Sequence, residues 1–200
     1  MKLLSSQFFR NGGVATLALI AGVAQAHTGH GTSGLTAGMV HPFGLDHLLA
    51  MVAVGVWSVS ALPSGKAWWG PAAFMIALVF GATMGAVGMT VPYLEVMISL
   101  SVVLFGVMLI ASRAQWPASV GLAIIAAAAS LHGLAHGAEM PDSGFSAYAI
   151  GFLLTTAALH LSGVTAGLSI RHHFSRQAPW LIKVLGLGCS GAGLYLVSQL

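Results

Sequence analysis

Long apolar stretches alternate with short polar or turn-forming segments from residue 42 to the end of the chain. A helix needs about 20 mostly apolar residues to cross the hydrocarbon core of a bilayer, and each stretch has about that length. The breaks contain Pro63-Ser64-Gly65-Lys66 and Met140-Pro141-Asp142, which are typical of turns. The pattern predicts an all-α integral membrane protein with six transmembrane helices, at residues 42–62, 68–89, 93–112, 117–138, 145–169 and 179–199.

The composition agrees with a bilayer as the solvent of the folded chain. Hydrophobic residues make up 57% of the chain and charged residues only 6%, whereas a soluble domain has about 25% charged residues. The net charge of +3 is too small to indicate nucleic-acid binding. Cys189 is the single cysteine, which excludes a disulfide within the chain and a thiolate zinc site.

The first 26 residues resemble a targeting segment rather than a part of the fold. Lys2 and Arg10 precede a short apolar run at 14–23, and Ala24-Gln25-Ala26 fits the small-x-small cleavage rule. We therefore predict a cleavable signal peptide at 1–26, a periplasmic leader at 27–40 and a membrane domain at 41–200. A retained first membrane helix is the alternative.

The loop charges predict the orientation of the membrane domain. Lys66, Arg113, Arg171 and Arg176 fall in the first, third and fifth loops, whereas the second and fourth loops contain no Lys or Arg. Since basic loops remain in the cytoplasm, the sequence predicts a bacterial inner-membrane protein with both mature termini in the periplasm.

Glycines at helix-packing spacing predict close contacts between helices: Gly81 and Gly85 on the second span, and Gly186, Gly188, Gly191 and Gly193 on the sixth.

Three polar residues lie close together at the outer end of the fourth span, in the segment LHGLAHGAE. His132, His136 and Glu139 follow one another at helical spacing and therefore lie on one face. An imidazole pair four residues apart can bind one divalent metal ion, and a carboxylate one turn away adds negative charge. Gly133 and Gly137 leave room for a neighbouring helix or for an ion.

The first span begins with a similar group, in the segment HPFGLDHLLAM. His41 lies at its outer end, and Asp46 and His47 follow about one turn deeper. Because the first and fourth spans are antiparallel, both groups lie at the same depth. Burying charged groups costs about 2.5–3.5 kcal/mol each at a helix centre, which favours a metal-binding role for the joint cluster of Asp46, His47, His132, His136 and Glu139.

Four further residues are predicted as secondary or transient metal contacts. Glu95 opens the third span, His160 lies in the middle of the fifth, and His27 and His30 lie in the leader. Each also has a structural interpretation: Glu95 as an interfacial residue, His160 as an interhelical hydrogen-bonding group, and His27 and His30 as a polar leader.

These motifs resemble one known family. The segments HPFGLDHLLAMVAVGVW and LHGLAHGAE, together with VPYLEVMISLSVVLFG and YAIGFLLTTAALHLSG, are similar to the HupE/UreJ family over nearly all of the predicted mature chain. The resemblance implies a nickel permease linked to hydrogenase and urease operons. It assigns metal-binding roles to two less distinctive positions, Glu95 and His160, and to six motif residues, which are His41, Asp46, His47, His132, His136 and Glu139. In the family's first motif five residues separate the histidine from the aspartate; here four do, which rotates His41 by about 100° on a regular helix.

We therefore expect Ni²⁺, with Co²⁺ as an alternative, to be a transported substrate rather than a permanent cofactor, moving from periplasm to cytoplasm. Imidazole and carboxylate ligands without thiolate also suit Zn, Fe(II) and Mn, and the chain has no Walker A motif. We expect no enzymatic activity. The alternatives are an intramembrane zinc-dependent hydrolase and a metal-binding accessory protein without transport. The predicted partners are the metal ion and the lipid bilayer, and a homo-oligomer is left open.

Overall fold

The computed structural model describes residues 34–113, 116–140 and 144–200. The predicted signal peptide and most of the leader, including His27 and His30, lie outside the described residues, as does Asp142 of the fourth loop. Every regular element within the described ranges is helical: α1 Leu35–Val40, a 3-10 turn His41–Phe43, α2 Leu45–Ala61, α3 Trp69–Ala86, α4 Leu94–Ile110, α5 Ala118–Ala138, α6 Phe145–His173 and α7 Ala178–Val197.

The all-helical prediction is confirmed, and each of the six predicted stretches contains a helix. Four of the helices, α3, α5, α6 and α7, are long and apolar enough to cross a membrane, and the bent pair of α1 and α2 makes a fifth span if it is counted as one. Helix α4 has 17 residues, about 25 Å at 1.5 Å per residue, which is short of the roughly 30 Å hydrocarbon core. The number of six spans therefore stays a prediction.

Two boundaries differ from the prediction. The first span was expected from residue 42, but Pro42 lies in the 3-10 turn, and extended backbone at Gly44, with ψ at 140°, separates that turn from α2. The segments on the two sides of Gly44 meet at an angle of 74°. Helix α6 was expected to end at 169, but it continues to His173, so Arg171 lies in the last turn of a helix rather than in a loop.

Helix α2 lies at the centre of the bundle and contacts α3, α4, α6 and α7. Most of its residues from Ala50 to Val59 are buried. The short helix α1, which the sequence assigned to the leader, packs against α6. This arrangement brings the N-terminal end of α2 to the same level as the C-terminal end of α5.

The most extensive helix contact joins α3 and α5, and glycines make it. A Cβ atom at Gly133 would collide with the backbone oxygen of Leu78, and one at Gly137 with that of Ala82. The contact is reciprocal, because a Cβ atom at Gly81 or Gly85 would collide with backbone oxygens of α5. The predicted packing role of these glycines is confirmed, and the room beside Gly133 and Gly137 is taken by a neighbouring helix.

The glycines of α7 divide into two groups. Gly186 and Gly193 contact α4, but a Cβ atom at Gly188 or Gly191 would meet no atom of the described residues within 4 Å. Among the described residues, the predicted helix packing is therefore confirmed for Gly186 and Gly193, whereas Gly188 and Gly191 contact no other helix. Both are exposed because they lie on the outer face of α7.

We predict that Gly137→Ala destabilises the folded protein, because the new methyl group would push α5 away from the backbone of α3. Overpacking of this kind typically costs about 1–3 kcal/mol. Gly188→Ala is the matched control, since it adds the same methyl group to an open position. Thermal unfolding of the two purified variants in detergent checks this, and equal midpoints would contradict it.

Candidate metal site

The first turn of α2 and the last two turns of α5 meet at one level of the bundle. Asp46 and His47 come from α2, and His132 and His136 come from α5. The ring centroids of His47 and His132 are 4.8 Å apart, and those of His47 and His136 are 4.4 Å apart. The structure thus brings together the two groups that the sequence placed at the same depth.

Asp46 lies beside one nitrogen of the His47 ring, and the other ring nitrogen faces the other histidines. The Nδ1 atom of His47 lies 2.8 Å from Oδ1 of Asp46. This is an ion-pair distance, and the negative charge of the carboxylate favours a proton on the adjacent Nδ1 of the neutral ring. In the neutral ring, Nε2 therefore carries the lone pair, and it faces α5.

Ser101 of α4 has the same effect on His132, which is fully buried. The Ser101 hydroxyl donates to the backbone oxygen of Ile98 at 2.6 Å. Its oxygen must then accept from Nε2–H of His132, which lies 2.9 Å away. The lone pair of the neutral His132 ring is therefore on Nδ1, which lies 3.4 Å from Nε2 of His47.

Nitrogen atoms of three histidines consequently converge on one point between α2 and α5. Nε2 of His136 also lies against Nε2 of His47, next to Nδ1 of His132. Lone pairs that face one another repel unless a proton or a cation lies between them. Metal-binding histidines are typically held in this way, with the far ring nitrogen hydrogen-bonded to a carboxylate or another polar group.

A second group lies on the outer side of these nitrogens and shares His136 with them. His41, His136 and Glu139 each offer one ligand atom, and these atoms lie within 4.8 Å of one another. His41 joins this group despite the shortened spacing to Asp46, because it belongs to the 3-10 turn before Gly44 and not to α2. The six predicted ligands therefore form one continuous cluster.

A small cavity of about 20 Å³ opens between the two groups. A cavity of that size has room for about one water molecule, so it can accept a bare ion but not an ion with its hydration shell. Three acidic residues line it, and they are all the acidic residues in the part of the chain that the structure describes. The lining side chains that offer ligand atoms are His41, Asp46, His47, Glu95, His136 and Glu139.

Glu95 reaches this cavity from the first turn of α4. The residue before that helix, Tyr93, has a left-handed backbone conformation with φ at 58°, which is uncommon for a residue other than glycine. This turn after Pro92 directs α4 so that its first residues face the cavity.

His160 is not part of this cluster. It is buried in the middle of α6, where its ring stacks edge-on against Phe74 at 4.7 Å between centroids. The Phe74 ring also contacts His132, at 5.9 Å. An aromatic side chain without ligand atoms thus contacts both His160 and the innermost histidine of the cluster.

Sequence reasoning missed two contributors, Ser101 and Phe74. Ser101 belongs to no polar motif, and its role depends on the rotation of α4 against α5. Phe74 lies in an apolar run of α3, where aromatic residues are expected as ordinary core. Neither residue carries a signal in the sequence that separates it from its neighbours.

Comparisons with known proteins agree with the resemblance of the motifs. The family described as HupE / UreJ protein matches residues 15–196. Protein HupE of Rhizobium leguminosarum bv. viciae is 38% identical over 186 residues, which cover 91% of this chain and 95% of that protein. No solved structure matches the chain significantly. With a family match from residue 15 to residue 196, the chain belongs to the HupE/UreJ family.

Proposed function

We propose that this protein is a permease that carries Ni²⁺, or Co²⁺ as an alternative cargo, from the periplasm to the cytoplasm for hydrogenase or urease maturation. Membership of the HupE/UreJ family supports a metal-transport role at the level of the family. The single observation that carries the proposal is the convergence of one ring nitrogen from each of His47, His132 and His136. In two of these rings the other nitrogen is held within the protein, by Asp46 in His47 and by Ser101 in His132.

The donor set suits a borderline divalent cation. His47, His132 and His136 supply nitrogen, and Asp46 and Glu139 supply carboxylate oxygen. Such ligands favour Ni, Co or Zn over soft cations such as Cu(I), which prefer thiolate or thioether. Asp46 has two roles in this proposal, because one carboxylate oxygen orients His47 and the side chain also lines the cavity.

The arrangement of the two groups predicts a sequence of steps. The carboxylates of Glu95 and Glu139 raise the local concentration of cations at the outer face. The ion first binds His41, His136 and Glu139, where it exchanges water for protein ligands. His136 then stays bound while His47 and His132 replace the outer ligands, so the ion moves inward without regaining its hydration shell.

We propose that the chain crosses the inner membrane six times, after cleavage of the signal peptide, with both mature termini in the periplasm. Exposed tryptophans support this orientation. Trp69 begins α3, while Trp116 and Trp180 lie at or near the starts of α5 and α7. These three helix starts adjoin the loops that carry the basic residues, where an aromatic belt at the inner interface is expected.

Loss of an inner ligand should abolish transport. In proteoliposomes that hold only this protein and a trapped nickel-sensitive dye, we expect His132→Ala and Asp46→Asn to lose nickel uptake, because each removes a ligand or the group that orients one. His173→Ala, which changes an exposed histidine at the end of α6, should transport at the wild-type rate. If both site variants take up nickel at the wild-type rate at equal protein content, the assigned site is refuted. If the unmodified protein binds nickel but does not transport it, an accessory protein is favoured.

The hydroxyl of Ser101 should contribute to affinity without touching the ion. We predict that Ser101→Ala weakens nickel binding by about 10–100-fold, the usual effect of losing the group that orients a metal-binding histidine, because Nε2 of His132 loses its acceptor. Ser99→Ala changes another buried serine of α4 and should bind as the wild type does. Competition against a coloured chelator measures both affinities, and equal values would contradict the assigned tautomer of His132.

The proposed orientation predicts the activity of reporter fusions. Alkaline phosphatase, which is active only in the periplasm, should be active when fused after Leu200 and inactive when fused after Gly65. N-terminal sequencing of the purified protein should begin at His27 if the signal peptide is cleaved. An active fusion at Gly65, or a purified chain that still begins at Met1, would contradict this topology.

A further inference from the structure

We propose that Nε2 of His160 and Oγ1 of Thr156 form a second, inner cation-binding position on α6, which the transported ion occupies after it leaves His132. This inference rests on the proposed transport function and extends the path of the ion beyond the cluster described above. It assigns a purpose to two buried polar atoms that the cluster does not use.

The first step is the orientation of the His160 ring. Its Nδ1 atom lies 2.8 Å from the backbone oxygen of Thr156. A carbonyl oxygen only accepts, so Nδ1–H is the donor, and Nε2 of the neutral ring is left with a lone pair. A histidine held through Nδ1 by a backbone carbonyl is a common arrangement for a metal ligand that binds through Nε2.

The second step is the lack of a partner for two polar atoms. Within the described residues, Nε2 of His160 and Oγ1 of Thr156 are both buried without a hydrogen bond. Only 1% of His160 and none of Thr156 is exposed. Leaving a buried polar group unsatisfied costs about 1–3 kcal/mol, and Thr156 and His160 lie four residues apart on one face of α6. A cation that binds both atoms would satisfy them together.

The third step is the position of this pair relative to the cluster. The fully buried ring of Phe74 contacts both His132 and His160. Phe74 offers no ligand atom, so His132 and His160 belong to two separate binding positions. In this proposal, an ion that leaves Nδ1 of His132 moves past the Phe74 ring to Nε2 of His160.

The fourth step is the chemistry of the inner position. Its two donors are neutral, whereas the outer cluster contains carboxylates. A neutral pair attracts a divalent cation less strongly, and conduction requires sites weak enough for the ion to leave. The change from acidic to neutral ligands along the path therefore favours release on the inner side.

Two variants of the full-length protein test this proposal. His160→Asn retains an amide N–H for the Thr156 carbonyl but removes the Nε2 ligand. We expect its nickel affinity at the outer cluster to equal that of the wild type, whereas nickel flux into proteoliposomes falls by about tenfold or more.

His160→Cys places a thiolate at the inner position, and thiolates favour soft cations. We expect it to give the ultraviolet charge-transfer absorbance of a cadmium–thiolate bond when Cd²⁺ is added.

The cadmium measurement has two internal controls. The wild-type protein already contains one buried thiol, Cys189, and should not give the absorbance. Thr155→Cys places a thiol at the neighbouring buried position, which lies on a different side of α6, and it should not give the absorbance either. Wild-type flux in His160→Asn, or a folded His160→Cys protein without the absorbance, would overturn the inner position.

The outcomes also separate this inference from the proposed function. If the wild type transports nickel and His160→Asn transports it equally fast, the inner position is refuted but the permease proposal is not. A wild type without flux refutes the permease, whereas the cadmium absorbance of His160→Cys still reports whether a cation binds beside Thr156.

Discussion

The close contact between the backbones of α3 and α5 determines where the polar groups of this protein lie. Lipid provides no hydrophobic force that joins apolar helices, so packing between small residues decides which faces meet. Gly133 and Gly137 make this contact, and each directly follows a histidine of the cluster. Consecutive residues of an α-helix differ by about 100° in direction. With the glycines fixed against the backbone of α3, the side chains of His132 and His136 point about 100° away from that backbone contact, towards His47 of α2.

The same packing explains how strongly polar side chains are tolerated in an apolar bundle. Two of the three converging histidines have one ring nitrogen held within the protein: Nδ1 of His47 by the carboxylate of Asp46, and Nε2 of His132 by the hydroxyl of Ser101. These bonds offset part of the cost of burial, and they also fix the tautomer. The nitrogens that remain face one another and not the lipid. In the proposed metal site, the interactions that stabilise the buried rings would also leave these nitrogens available to a cation.

Length and periodicity were sufficient to predict the helices and the two polar groups, because a membrane span and an i, i+4 pair are both local patterns. The shortened spacing before Asp46, which would rotate His41 by about 100° on a regular helix, does not remove His41 from the cluster, since Gly44 interrupts the helix and His41 lies in the 3-10 turn before it. Ser101, Phe74 and the outward-facing Gly188 were not predictable. Their roles depend on how one helix is rotated against another, and the sequence of a uniformly apolar helix contains no signal for that rotation.

The size of the cavity favours an ion over a larger substrate. An intramembrane hydrolase must hold its zinc with a position left open for water and must also admit the scissile bond of a lipid or peptide. The space beside these histidines is about 20 Å³, which is close to the volume needed for one water molecule. A bare divalent cation fits there without any displacement of α2 or α5, whereas a peptide or lipid would have to separate them. Because α2 contacts four other helices, such a separation would disturb much of the bundle, and a path that passes the ion between fixed ligands is the simpler use of this fold.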